Sequence, residues 1–283
     1  MDIAITGASG LIGRRLRQRL METGHAAHPI SRAASDATLA AVLASVDAVV
    51  HLAGEPIAQR WTEEVKQRIH DSRVQGTRRL VNLLSSQSQR PRVLVCASAV
   101  GYYGSRGDQV LTETSSPGSD FLAGVVVAWE EAAQMAESLG IRVVRLRLGM
   151  VLAHGGALAK LIPPFRLCLG GRLGSGRQWM SWIHIDDAVN LILFALNYAV
   201  VKGAVNATSP HPVTNDEFTS RLAIALHRPA LIPVPEFALR LVFGEMSEVL
   251  LASQRVLPTV AKSAGFHFQF PDLHRALENL LSP

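Results

Sequence analysis

Cysteine is scarce in this sequence, and no long hydrophobic run occurs in it. The two cysteines, Cys96 and Cys168, each lie in an apolar run, which argues against a disulfide framework and fits a reducing compartment. No segment reaches the roughly 18 uninterrupted apolar residues of a membrane span, and the first residues lack the basic start and apolar core of a signal peptide. These absences predict a cytoplasmic protein without a membrane partner.

Blocks of one charge sign are also missing. The net charge of +5 could indicate a nucleic-acid partner. The Lys and Arg residues are instead spread along the chain among acidic residues, and no zinc-finger or RNP-like pattern occurs. We therefore interpret the positive charge as a surface that favours anionic small molecules, and we expect no nucleic-acid partner and no bound metal.

What the sequence does contain is an alternation of apolar strands and amphipathic helices, typical of a parallel sheet built from βαβ units. With 283 residues, 48% of them hydrophobic, the chain can bury a large core. The pattern predicts an α/β fold, a Rossmann-type doubly wound parallel sheet with a smaller C-terminal α+β lobe. We assign 1–210 to the Rossmann domain, with a loop insertion around 153–183, and 211–283 to the lobe.

One residue conflicts with the predicted strands. The strands are Ile3–Thr6, Ala27–Ser31, Ala48–Leu52, Val93–Ser98, Val143–Leu148 and a run near Ala204–Ala207. Pro29 falls in the second, which Rossmann topology places inside the sheet, where a missing N–H removes a ladder hydrogen bond. We therefore expect Pro29 at a strand end or a bulge.

The turn after the first strand, residues 6–13, reads TGASGLIG and opens a helix. Its glycines permit a tight turn, let the backbone approach a pyrophosphate and pack the helix against the strand. The helix N-terminus adds free N–H groups and the positive end of the helix dipole. A glycine triplet alone is a weak signal, but strand, loop and helix follow here in the required order. The segment predicts a dinucleotide site.

The end of the second strand indicates which dinucleotide binds. Sites that prefer NAD place an acidic residue there to hold the ribose hydroxyls. This chain has Ser31 and Arg32 instead, and no acid until Asp36. A hydroxyl and a guanidinium suit a 2′-phosphate, which favours NADP(H). The alternative is that Arg32 is an exposed loop arginine.

The third predicted strand runs into a turn of small residues at Ala53 and Gly54, which would let the backbone pass close to the adenine ribose and phosphates. His51 lies in the apolar part of this strand. We interpret it as a core histidine rather than a ligand.

Further motifs extend over the rest of the chain. They are His51–Gly54 with Glu55, Arg60–Thr62, Ser72–Thr77, Ser98–Gly104, Gly174–Trp179, Trp182–Asp187, His227–Pro229 and Gly265–Phe268. With the glycine loop, they make the chain resemble the extended short-chain dehydrogenase/reductase superfamily. The chain is most similar to its atypical branch, the YfcH-like (SulA-like) epimerase family, over essentially its whole length.

The resemblance implies NADP(H) contacts beyond the glycine loop. The assigned cofactor residues are Gly7, Ser9, Gly10, Leu11, Ile12, Gly13, Ser31, Arg32, Leu52, Ala53, Gly54, Glu55, Arg73, Ala97 and Val151. Typical extended members carry an asparagine where this chain has Arg73. A guanidinium there could reach a phosphate; the alternative is a charge on the helix surface.

The usual chemistry of the superfamily needs Ser or Thr with Tyr-x-x-x-Lys, the tyrosinate being the general base. Ser98 matches the serine. The helix positions expected for tyrosine and lysine hold Leu122 and Val126, and neither can carry a proton. The one Tyr-x-x-x-Lys pair in the sequence, Tyr198 and Lys202, lies in the wrong part of the topology. The standard triad is therefore absent.

Other groups must then supply any acid–base chemistry. The candidates are Ser98, Tyr102 and Tyr103 for catalysis and Arg177, Gln178 and Trp179 for an anionic or sugar-like substrate. His184 with Asp186 and Asp187 could suggest a metal, but we interpret one of the two aspartates as a helix cap and His184 as its packing partner.

The sequence thus predicts an NADP(H)-binding oxidoreductase or epimerase acting on an unidentified, nucleotide-sugar-like substrate. The alternative is a non-catalytic NADP(H)-binding sensor or regulatory module, which the missing Tyr-x-x-x-Lys favours. Relatives commonly dimerise through the two helices flanking the fourth strand, so a homodimer is a further expectation.

Overall fold

Twelve strands and eleven α-helices make up the computed structural model, which describes residues 1–281. The strands are β1 (Asp2–Thr6), β2 (Ala26–Ile30), β3 (Ala48–His51), β4 (Val93–Ala99), β5 (Val110–Leu111), β6 (Arg142–Leu148), β7 (Met150–Leu152), β8 (Trp179–Met180), β9 (Trp182–His184), β10 (Gly203–Ala207), β11 (Val213–Thr214) and β12 (Arg255–Val256). The helices are α1 (Leu11–Glu22), α2 (Asp36–Leu43), α3 (Glu63–Ser85), α4 (Phe121–Gln134), α5 (Gly156–Arg166), α6 (Ile185–Asn197), α7 (Asn215–Leu226), α8 (Glu236–Phe243), α9 (Ser247–Leu251), α10 (Thr259–Ser263) and α11 (Leu273–Leu281).

Six strands form the central parallel sheet, in the order β2-β1-β3-β4-β6-β10. Successive strands add to one side as far as β2, and β3 then starts the other side, so the strand order reverses between β1 and β3. Ligands of doubly wound sheets bind outside the carboxyl ends of the strands at such a switch point. The predicted α/β fold is confirmed, and the glycine loop, which follows β1, lies at this switch point.

The sheet buries both of its faces, because helices cover each side. On one side Ile3, Ile5 and Val95 contact α1 and α6; on the other, Leu94 and Cys96 contact the α3–α4 side. Strands buried on both faces read as continuous apolar runs, which is why they were visible in the sequence.

Pro29 is not at a strand end or a bulge, and that expectation is wrong. It pairs in register with Ile5 inside β2. The strand tolerates it because β2 is the edge of the sheet, where an absent N–H does not interrupt a second ladder.

The C-terminal part of the chain shares a hydrophobic cluster with the segment around 153–183. Leu152, Leu158 and Trp182 are fully buried there against Phe218 of α7 and Leu277 of α11. Thr214 caps α7 by accepting a hydrogen bond from the Glu217 amide. The division at residue 210 stays a prediction.

None of the helices within residues 1–281 is both long and apolar enough to cross a membrane.

Candidate functional site

The glycine loop leaves no room for side chains at two of its three glycines. A Cβ at Gly7, whose φ is +68°, would lie 2.7 Å from the carbonyl carbon of Leu52. A Cβ at Gly13 would lie 2.3 Å from the carbonyl oxygen of Gly7. The loop between β1 and α1 therefore presses against the turn after β3, which places Leu52 and Ala53 beside it. Only glycine allows this close approach.

The N-terminus of α1 is built to face an anion. Gly10 is the cap residue and offers no side-chain hydrogen bond, and the first turn contains no acidic residue. The first amides of a helix have no partner within it, so those of Leu11 and Ile12 remain available to a ligand. This geometry fits a pyrophosphate.

Two arginines converge on one carboxylate next to this loop. Arg32 Nη1 lies 3.1 Å from Glu55 Oε2, and Arg68 Nε lies 3.9 Å from Glu55 Oε1. The hydrogen bond from Arg32 holds the pKa of Glu55 below its usual value. Ser31 caps the adjacent turn by accepting a hydrogen bond from the Ala33 amide. Sequence reasoning missed Arg68, because only the fold brings α3 to the end of β2.

Arg73 braces the loop that follows β3. Its guanidinium donates to the carbonyl oxygens of Glu55 and Ile69 and lies 5.3 Å from the ring of Trp129. Burial lowers its pKa to about 10. A Cβ at Gly54 would come within 3.3 Å of this guanidinium. Arg73 is thus in contact with the assigned cofactor residues Gly54 and Glu55 and already has two acceptors.

His51 is buried between two hydroxyl groups, as a core histidine should be. Its Nδ1 lies 2.6 Å from Thr6 Oγ1 and its Nε2 lies 3.0 Å from Thr77 Oγ1. Burial lowers its pKa to about 4, so the ring is neutral at pH 7. The histidine joins β1, β3 and α3 directly under the switch point.

Ser98 belongs to a buried ionic network rather than to an open surface. Its hydroxyl donates to Glu130 Oε1 at 2.6 Å, and the same carboxylate accepts two hydrogen bonds from Arg147, at 2.7 and 2.9 Å. All three residues are at most 4% exposed. Sequence reasoning missed this pair, although an arginine inside a buried parallel strand was a signal that it needs a partner.

The two adjacent tyrosines have different surroundings. Tyr103 is fully buried; its hydroxyl donates to Asn206 and accepts from Arg147, and burial raises its pKa to about 12. Tyr102 is half-buried, and its ring stacks on the guanidinium of Arg147 at 3.4 Å. Within residues 1–281 its hydroxyl forms no hydrogen bond, so of the two phenols it is the one that a ligand can reach.

The helix that would carry Tyr-x-x-x-Lys is apolar where that motif belongs. Leu122 lies at the start of α4. A Cβ added to Gly101 would lie 3.7 Å from the Cβ of Leu122, so the two residues are close neighbours. Val126 is buried. The positions expected for tyrosine and lysine are thus next to the turn that carries Tyr102, but they hold the apolar side chains of Leu122 and Val126.

The predicted substrate loop is fixed by contacts that differ for each of its three residues. Arg177 is exposed, whereas the Gln178 amide is buried and donates to the Leu173 carbonyl. The Trp179 indole donates to Asp108 at 2.8 Å, and Arg255 stacks on its ring at 4.3 Å. The structure therefore does not bring the three side chains together.

The remaining predicted cofactor residues lie in β4, in β7 and in the glycine loop. Ala97 is buried in β4, and Val151 in β7 pairs with Ile183 of β9. Ser9 follows Gly7 in the loop and its carbonyl accepts a hydrogen bond from Arg14.

The cap of α6 is His184, which corrects the assignment to an aspartate. Its Nδ1 accepts a hydrogen bond from the Asp186 amide. Asp186 pairs with Arg15 of α1, and the buried Asp187 accepts the amides of Gln269 and Phe270. His184, the last residue of β9, takes this role because its ring nitrogen reaches the amide of the second residue of α6.

Comparison with known proteins places the chain by both sequence and fold. Residues 3–207 match the NAD dependent epimerase/dehydratase family, and residues 234–280 match a domain of unknown function, DUF1731. The chain belongs to the NAD dependent epimerase/dehydratase family. The resemblance found in the motifs is therefore confirmed.

Three relatives match nearly all of this chain. The chloroplastic epimerase family protein SDR39U1 homolog of Arabidopsis thaliana is 43% identical, over 99% of this chain and 87% of its own. The crystal structure of human epimerase family protein SDR39U1 with NADPH has a TM-score of 0.93 at 35% identity and covers 99% of both chains. The nucleoside-diphosphate sugar epimerase of Corynebacterium glutamicum has a TM-score of 0.82 at 33% identity, over 99% of this chain and 58% of its own.

Proposed function

We propose that this protein is an NADP(H)-dependent oxidoreductase or epimerase that acts on a polar, nucleotide-sugar-like substrate. The observation that carries the proposal is the glycine loop at the switch point, where close packing at Gly7 and Gly13 is followed by an α1 N-terminus with no side-chain cap and no acidic residue in its first turn. The NADPH in the human relative and the name of the Corynebacterium relative support the cofactor and the substrate class.

In this proposal each part of the crevice binds one part of the cofactor. The amides of the first turn of α1 hold the pyrophosphate, and Ser31 and Arg32 hold the 2′-phosphate. Leu52 and Ala53 form the wall on which the loop rests. When bound, the nicotinamide supplies a hydride donor or acceptor.

Tyr102 is the residue that we propose moves the proton at the reacting oxygen. Its phenol is accessible and its ring is held by Arg147. Ser98 and Tyr103 were grouped with it from the sequence, but their hydroxyls have partners in Glu130 and Asn206. We assign them to positioning the turn that carries Tyr102.

Cofactor binding is the first test. Isothermal titration of the purified chain should give tighter binding for NADPH than for NADH. Equal or tighter binding of NADH would overturn the assignment of Ser31 and Arg32 to a 2′-phosphate. Replacing Arg32 by Met should remove most of the preference.

Turnover is the second test, with the three tyrosines as a matched set. Oxidation of NADPH is followed over a panel of carbonyl and nucleotide-sugar compounds. We expect Tyr102→Phe to lower kcat by about a hundredfold or more, the usual range for a general acid or base. Tyr198→Phe, on an exposed residue, should change nothing. Tyr103→Phe should lower the melting temperature.

The alternative function is a non-catalytic NADP(H)-binding regulatory module. The apolar residues Leu122 and Val126 in the slot of the usual motif favour it. Tight NADPH binding without turnover on any compound of the panel would support this alternative and reject the enzyme.

We also propose a cytoplasmic location and a homodimer. Size-exclusion chromatography with light scattering tests the second of these directly.

A further inference from the structure

The carboxylate of Glu55 occupies the position of an anion between two arginines. Arg32 comes from the loop after β2 and Arg68 from the first half of α3, and each faces a different oxygen of Glu55, at 3.1 and 3.9 Å. Both arginine side chains are more than half exposed, whereas that of Glu55 is 17% exposed. Two exposed cations therefore meet on one carboxylate.

We infer that Glu55 is a built-in competitor for the 2′-phosphate of NADP(H), and that Arg68 is a second phosphate ligand beside Arg32. This inference rests on the proposed cofactor site. Carboxylate and phosphate offer guanidinium the same planar pairs of acceptor oxygens. A phosphate that enters between Arg32 and Arg68 would replace Glu55 as their partner and would carry more negative charge.

The backbone of Glu55 is fixed, so only its side chain moves in this exchange. Its amide donates to Ser72 Oγ at 3.0 Å, and its carbonyl accepts from Arg73 at 3.0 Å. Both partners lie on α3. The carboxylate can therefore be displaced by rotation of the Glu55 side chain alone, without a shift of the turn after β3.

Displacement of the carboxylate costs little, because ion pairs of exposed arginines contribute little net stability. A nucleotide without the 2′-phosphate would leave the carboxylate in place, since a neutral hydroxyl does not compete for two guanidinium groups. Glu55 would then lower the preference for NADPH over NADH, and Arg68 would raise it.

The test compares the dissociation constants of NADPH and NADH in the full-length protein by isothermal titration calorimetry. The variants are Arg68→Met, Glu55→Gln and the control Arg78→Met. Arg78 is exposed on the same helix, and at 1.5 Å per residue it lies about 15 Å further along. Arg78→Met therefore removes the same charge as Arg68→Met, but at a distance from Arg68 greater than the Debye length of about 8–10 Å. Equal melting temperatures establish that all variants are folded.

We expect Arg68→Met to raise the dissociation constant of NADPH about tenfold and that of NADH less than twofold. Arg78→Met should leave both dissociation constants unchanged. Glu55→Gln should raise the preference for NADPH over NADH by at least threefold. The pair 2′,5′-ADP and 5′-AMP should show the same differences without a nicotinamide.

The possible failures are distinguishable. A wild-type protein that binds neither dinucleotide rejects the proposed function itself. A wild-type protein that prefers NADPH, with the same preference in Arg68→Met and Arg78→Met, rejects Arg68 as a ligand. An unchanged or reduced preference in Glu55→Gln rejects the competitor role.

Discussion

At the scale of single residues, Arg147 contacts both tyrosines proposed from the sequence for catalysis. It pairs with Glu130, donates to Tyr103 and supports the ring of Tyr102. Because removal of Arg147 leaves the buried Glu130 only the 3.6 Å ion pair with Arg145 among the described residues, Arg147→Met should lower the free energy of unfolding by about 3–5 kcal/mol. Urea denaturation measures this. The exposed Arg78→Met serves as control, and a loss below about 1 kcal/mol would contradict the argument.

His51 makes the fold sensitive to moderate acid. Its pKa is about 4 in the folded protein and about 6.5 when unfolded. The unfolded chain therefore binds more protons between these values, and stability falls as the pH drops from 6.5 towards 4. The loss approaches about 3 kcal/mol at pH 4, at about 1.4 kcal/mol per unit.

The measurement is urea denaturation of the wild type and of His51→Gln at pH 7.5 and pH 5. The variant lacks the titrating ring, so its stability should decrease less between the two conditions. The same decrease in both proteins would mean that other groups cause the acid sensitivity.

Residue roles could be predicted where they follow from local pattern and could not where they depend on contacts far apart in sequence. His51 was recognised as a core residue because its strand is apolar. The pair of Glu130 and Arg147 joins α4 to β6, and the choice between Tyr102 and Tyr103 depends on which ring points into the core. Neither is encoded in the spacing of neighbours.

At the scale of elements, the contact between β1 and α1 depends on Gly13. Because a Cβ there meets the Gly7 carbonyl at 2.3 Å, Gly13→Ala must displace the start of α1. We expect a loss of about 1–3 kcal/mol in stability, as for other overpacked sites, and at least tenfold weaker NADPH binding.

A matched control exists in α4, where a Cβ on Gly124 would meet nothing within 4 Å. Gly124→Ala should stabilise the protein by about 0.5–1 kcal/mol, since alanine is the better helix former. Thermal unfolding of the two variants should shift in opposite directions, and only Gly13→Ala should weaken NADPH in titration. Equal stability of the two variants would contradict the steric clash inferred for a Cβ at Gly13.

The long elements were predictable and the short ones were not. The six central strands begin and end within two residues of their expected bounds, because runs buried on two faces are distinctive. The pairs β5–β12, β7–β9 and β8–β11 have two or three residues each, too few for any periodicity. Pro29 was misplaced because the position of β2 in the sheet was assumed from the Rossmann order.

At the scale of the whole molecule, the C-terminal segment, residues 211–281, completes the fold that precedes it. Without it, the fully buried Leu152 and Trp182 would be uncovered, and Asp187, whose pKa burial raises, would lose the amides of Gln269 and Phe270. A chain that ends at residue 210 should lose near-ultraviolet circular dichroism and cooperative unfolding. A fragment with the melting temperature of the full chain would contradict this.

Assembly is also decided at this scale. The apolar residues of α3 and α4, such as Ile69, Leu84 and Val125, are buried within the single chain. The large exposed apolar side chains lie elsewhere, among them Leu167, Leu231 and Phe237. A homodimer on α3 and α4 would therefore need a polar contact surface.

The position of Pro29 in the edge strand β2 also bears on whether another chain can pair with this sheet. An exposed β-edge is a template on which an incoming chain can extend the sheet. β2, at the edge of the sheet, carries a proline among its five residues. Proline on an edge strand is one of the devices by which proteins resist edge-to-edge pairing, so the residue that departed from the predicted topology is suited to disfavour sheet growth at this border.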